Sequence, residues 1–135
     1  MTSYKDTAVL LIDPYNDYIH PEGKGYGLCK ESLEETDTVT HMKALVKAAR
    51  ANNIPIFYCL HQQWKTGNFD GWNRMGPFHR MLKEKKVCEE GSWGAQIHKG
   101  LEPDLAYGDI VVGKHWNARH VFLLLPVIFQ DPNCS

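Results

Sequence analysis

Two charged residues stand where a parallel α/β protein would do its chemistry. Asp13 closes the apolar run Thr7-Ala8-Val9-Leu10-Leu11-Ile12, and Lys114 closes Asp109-Ile110-Val111-Val112-Gly113. Runs without polar alternation suit strands buried on both faces of a parallel sheet better than edge strands. In such sheets ligands bind beyond the carboxyl ends of the strands. A carboxylate and an ammonium meeting there would shift each other's proton affinity. Taken singly, Asp13 reads as a turn residue and Lys114 as a surface lysine; together, the residues leave both readings open.

Other reactive side chains carry weaker signals. The four cysteines, Cys29, Cys59, Cys88 and Cys134, are scattered without a C-x-x-C pair, which favours free thiols over a disulfide framework. Cys59 falls inside a strand pattern and reads as a small buried residue. The histidines His20, His41, His61, His79, His98, His115 and His120 form neither H-x-H nor H-E-x-x-H, so no metal site is expected, and no other cofactor. Lys83, Lys85 and Lys86 interleave with Glu84, Glu89 and Glu90, as on a solvated helix face. Trp64, Trp72, Trp93 and Trp116 either line a pocket or cover the core beneath long loops.

The elements that must position these residues follow from periodicity. Pro14 stops the first strand because it cannot donate to a ladder. Residues 20–30, with three glycines, read as a loop. Ser32 and Glu35 have capping-box spacing for a helix whose face is Val39, Met42, Leu45, Val46 and Ala49. Asn52-Asn53 and Pro55 close that helix, and Ile54 to Leu60 forms a second strand. Strand, helix and strand in succession predict a right-handed βαβ unit. Loops over 61–78 and 91–100 flank a short helix from His79 to Lys86.

Composition bounds the rest. The chain has 135 residues, 43% hydrophobic and 23% charged, with a formal net charge of −1. That suits one domain of roughly 100–200 residues. The near-neutral balance argues against nucleic acid as a partner. No apolar stretch reaches the roughly 18 residues that would suggest a membrane span. With no secretory signal pattern at Met1–Asp6, a cytoplasmic location is expected.

Several segments together resemble the isochorismatase-like cysteine hydrolases. They are Leu11-Ile12-Asp13-Pro14-Tyr15-Asn16-Asp17-Tyr18, Ile54-Pro55-Ile56-Phe57-Tyr58, Gly91-Ser92-Trp93-Gly94-Ala95-Gln96-Ile97, Leu101-Glu102-Pro103 and Asp109 to Asn117. The resemblance implies a three-layer αβα open parallel sheet of Rossmann-like topology. It also implies a catalytic Asp-Lys-Cys group in which Asp13 and Lys114 are the first two members. In that chemistry the ammonium favours a thiolate, the carboxylate carries the proton, and backbone N–H groups hold the oxyanion. Family members act on amides and, in the isochorismatases proper, on a vinyl ether; the implied partner is a small amide-like substrate.

After Asn117 the likeness stops. The family continues with a helix, a strand and a turn presenting the cysteine, whereas Cys134 follows Lys114 by only 20 positions. Cys29 and Cys88 match no motif. Some relatives, the nicotinamidases, bind a metal through Asp-x-His, which Leu60-His61-Gln62-Gln63-Trp64 lacks. The expectation is therefore a hydrolase domain over residues 1–117, incomplete in its C-terminal half, with a divergent tail over 118–135 and negligible turnover. The apolar run Val121–Phe129 would add an edge strand or remain prone to aggregation. The rival expectation is a non-catalytic subunit that associates with longer family members, which often form oligomers; self-association is expected on the same ground.

Overall fold

The computed structural model describes residues 6–114, the last of them by its backbone alone. The tail 118–135 with Cys134, the run Val121–Phe129, and His115, Trp116 and His120 lie outside the described residues. Three parallel strands, β1 (Val9–Ile12), β2 (Ile56–His61) and β3 (Ile110–Lys114), pair in the order β1-β2-β3. Between the first two lie α1 (Asn16–Ile19), α2 (Lys30–Glu35) and α3 (Thr38–Ala51); α4 (Pro77–Lys85) follows β2. The expected α/β class is what forms.

β2 is the central strand, and Ile56, Phe57, Tyr58 and Cys59 are all buried. Its alternate side chains feed opposite faces, as the two-residue period requires. Ile56 and Tyr58 join Leu11, Val46, Ala49 and Leu82 in the main core, while Phe57 and Cys59 meet Val112 on the other face. Strand and helix residues together build the first cluster, whereas the buried members of the second all come from strands. This explains one departure from expectation. Leu10 and Ile12, across from Phe57 and Cys59, are 39% and 53% exposed, because no helix among the described residues covers that face.

The helix expected from Ser32 onward is two helices. α2 ends at Glu35, Asp37 turns left-handed at φ +46°, and α3 begins at Thr38. Ser32 caps neither; its carbonyl instead accepts a bond from the Thr36 hydroxyl. On α3, Val46 and Ala49 are buried and Val39 and Met42 pack against the core, but Leu45 is exposed. The close of α3 matches expectation, with Asn52 at the cap and Asn53 left-handed at φ +54°. α1 was not anticipated: four residues are too few to show periodicity. None of these helices is long and apolar enough to cross a membrane.

Candidate active site

Asp13 is held in a conformation that L-residues avoid. Its φ is +51°, immediately after β1 and before Pro14, and such strain persists where surrounding structure enforces it. Two contacts do so: the Asp13 N–H donates to the Cys59 carbonyl at 3.2 Å, and the His61 N–H donates to Asp13 Oδ1 at 2.8 Å. The carboxylate is thereby fixed across the end of β2. On the other side of β2, Lys114 is the register partner of His61. Asp13, His61 and Lys114 thus stand at the carboxyl ends of three adjacent strands, Asp13 one register position before the other two. Adjacent strands lie about 4.8 Å apart, so the backbones of Asp13 and Lys114 are separated by roughly 10 Å.

The third strand end carries a functional group that sequence reading did not single out. His61 is 4% exposed, and its Nδ1 lies 2.7 Å from the Gln62 carbonyl oxygen. A carbonyl only accepts, so Nδ1 carries a proton, and Nε2 lies within hydrogen-bond distance of the Tyr18 hydroxyl at 2.8 Å. The Tyr15 hydroxyl donates to the His61 carbonyl at 2.9 Å. Burial pushes both phenols well above their ordinary range, and the fields of Cys88 and Asp13 add to it. Both tyrosines are therefore neutral phenols. The signal was present, since His61 ends its strand as Asp13 and Lys114 end theirs.

A cavity of about 340 Å³ opens at this point, lined by Ile12, Asp13, Tyr18, Cys29, His61 and Phe78 among others. Cys29, which matched no motif, is exposed and lies on its wall. Cys59 is buried in β2, on the face of the small second cluster. Cys88 is buried within electrostatic reach of the site, where burial first, then Asp17 and Asp13, push its thiol far up. Each of these influences opposes thiolate formation, the reverse of what activates a nucleophile. Under native conditions iodoacetamide is therefore expected to alkylate Cys29 rapidly and to leave Cys59 and Cys88 unmodified. Peptide mass mapping reads this directly; rapid labelling of Cys88 would contradict its burial.

Asp17 ties the site to the rest of the chain. It is 1% exposed, and its two carboxylate oxygens accept the N–H groups of Lys24 at 2.9 Å and Cys88 at 2.6 Å. Of the four tryptophans, Trp64 and Trp72 pack against the core, while Trp93 lines a cavity. Lys83, Lys85 and Lys86 are exposed, as a solvated helix face requires. No group of three or more His, Cys, Asp or Glu suited to a metal ion occurs among the described residues.

A parallel sheet with helical connections defines an open-sheet α/β protein, a class in which ligands bind beyond the strand ends. The isochorismatase domain matches residues 7–120, and the chain belongs to that family. Among solved structures it is similar to an N-carbamoylsarcosine amidase from Thermoplasma acidophilum, at 18% identity and a TM-score of 0.53 over 90% of this chain and 61% of that one. It is also similar to an isochorismatase from Pseudomonas putida, at 22% identity and a TM-score of 0.46 over 80% of this chain and 41% of that one. The chain thus spans between two-fifths and three-fifths of the length of these two proteins. No curated protein matches it.

Proposed function

We propose that this chain carries the Asp and Lys portion of an isochorismatase-family hydrolase site and, by itself, does not turn over small amides. The observation behind this reading is Asp13, strained at φ +51°, fixed by the His61 N–H and lining a cavity at the strand ends, with Lys114 the register partner of that same His61 on β3. A carboxylate so placed suits proton transfer to and from a bound amide, and a strand-end ammonium suits an adjacent thiolate. On this reading the third member, a nucleophilic cysteine, is not among the described residues. Cys59 and Cys88 are buried, Cys29 follows a different stretch of chain, and the family likeness ends before a cysteine-bearing turn.

The test is a panel of small amides, N-carbamoyl compounds included, offered to the purified chain beside Asp13→Asn and Cys29→Ser. Rates equal in all three, and equal to the buffer rate, are expected. Turnover by the unmodified chain that disappears in Cys29→Ser would overturn the missing nucleophile. Turnover that survives both substitutions would remove Asp13 from the chemistry.

A further inference from the structure

A second cavity, of about 550 Å³, lies apart from the one at Asp13 and has a different character. Its walls come from Asn16 and His20 at α1, Lys43 on α3, and the segment carrying Trp93, His98 and Lys99. We propose that this cavity binds a small organic oxyanion, carboxylate or phosphate, through Lys43 and His98, with the indole of Trp93 against its body.

The polar groups are organised rather than scattered. The Asn16 N–H donates to the Gln96 carbonyl at 2.9 Å, and the His98 N–H donates to the Pro14 carbonyl at 2.9 Å. These two bonds, with the Tyr15–Ile97 bridge between them, join the 96–98 segment to the turn after β1. Asn16 Nδ2 donates to the Trp93 carbonyl at 3.0 Å, which fixes the amide so that Oδ1 faces His98 Nδ1 at 3.2 Å. Since that oxygen accepts, Nδ1 holds the ring's proton and Nε2 is left for a ligand or a second proton. The ring of His20 stands 5.8 Å from that of His98 and edge-on to Trp93 at 4.9 Å.

Charge decides what the cavity prefers. Lys43 is half-buried, with its side chain alongside Gly100, and its ammonium has no ion pair or hydrogen bond among the described residues. Lys99 adds a second cation. The single carboxylate on the wall, Glu102, is occupied by the Gly100 N–H at 2.7 Å. Two lysines against one carboxylate leave the cavity wall with a net positive charge, although Glu22 lies 4.0 Å from the His20 ring outside it. His98 records that field: burial first, then Lys43 and His20, lower its proton affinity, and Glu102 only partly opposes them. An anion would reverse those two charge effects. Trp93 is 44% exposed, a large apolar surface open to water that a ligand's organic part would cover.

The probes are inorganic phosphate, phenyl phosphate and benzoate, titrated calorimetrically into the full chain. Saturable binding of at least one organic probe is expected, weakened about ten-fold or more by Lys43→Gln and by His98→Phe, a loss equivalent to about 1.4 kcal/mol. Trp93→Leu should weaken the organic probes while leaving inorganic phosphate unchanged. Preference for phenyl phosphate or for benzoate then identifies the group as phosphate or carboxylate. Circular dichroism of each variant shows that it folds. The inference is overturned if no probe binds up to about 10 mM, if Lys43→Gln binds as the unmodified chain does, or if Asp13→Asn rather than Lys43→Gln abolishes binding, which would place the ligand in the other cavity. None of these outcomes depends on whether amides are hydrolysed.

Discussion

Gly94→Ala is expected to lose about 2–3 kcal/mol of stability, and the same substitution in an Asp17→Ala background is expected to lose far less. A Cβ on Gly94 would collide with Asp17, and the three atoms nearest to it are the Asp17 carboxyl carbon and both oxygens. The carboxylate cannot retreat. It is 1% exposed and pinned by the N–H groups of Lys24 and Cys88. Asp17→Ala alone should cost about 3 kcal/mol, because it removes the acceptor of a buried N–H and of a second, partly buried one, at about 1–3 kcal/mol each. It also creates the space that a methyl group at position 94 would need. The two effects therefore do not add, and the double variant should be more stable than their sum by at least about 1.5 kcal/mol. Urea denaturation of the four proteins measures this. Additive losses would show that the added methyl is rejected by something other than the carboxylate.

That coupling shows which parts of the molecule could be read from the chain and which could not. Strands announce themselves through consecutive apolar residues, so β1, β2 and β3 were located to within a few residues, and with them the strand-end positions of Asp13 and Lys114. The close of α3 was legible for a similar reason, since Asn53 and Pro55 act locally. The break at Asp37 was not, because a left-handed aspartate carries no distinctive spacing and the apolar face of α3 runs on from it. Asp17 looks in sequence like one more polar residue of an Asp-Pro-Tyr-Asn-Asp turn. Its importance lies in the Cys88 N–H, 71 positions away. His61 differs: its strand end is legible, but a lone histidine outside any metal-ligand spacing gives no sign of the bonds its ring makes to Gln62 and Tyr18. The open face at Leu10 and Ile12 shows the limit of the apolar-run rule, which reports what a strand can bury and not what covers it.

Arg50→Ala is expected to cost about 3 kcal/mol, and the loss should fall on the anchoring of β3. The guanidinium Nη2 lies 2.6 Å from Asp109 Oδ2 and donates also to the Glu102 carbonyl at 2.9 Å. The Asp109 side chain is fully buried, whereas that of Arg50 is 27% exposed. Removing the arginine leaves a buried carboxylate whose remaining help is the Asp104 N–H at 2.8 Å. Breaking a fully buried pair costs about 3–5 kcal/mol, and the partial exposure of Arg50 puts this one at the lower end. Asp109→Ala should cost about the same, since it strands the cation and frees the Asp104 N–H. With both removed, no unpaired charge is left inside, and the double variant should again lose less than the sum. Asp109 immediately precedes β3, so this pair ties the C-terminal end of α3 to the strand that carries Lys114. Amide hydrogen exchange in Arg50→Ala should accordingly rise first at Ile110–Gly113, while β1 and the Asp13 turn keep their protection. Uniform loss across the sheet would mean that the ion pair supports the whole fold rather than the strand it adjoins.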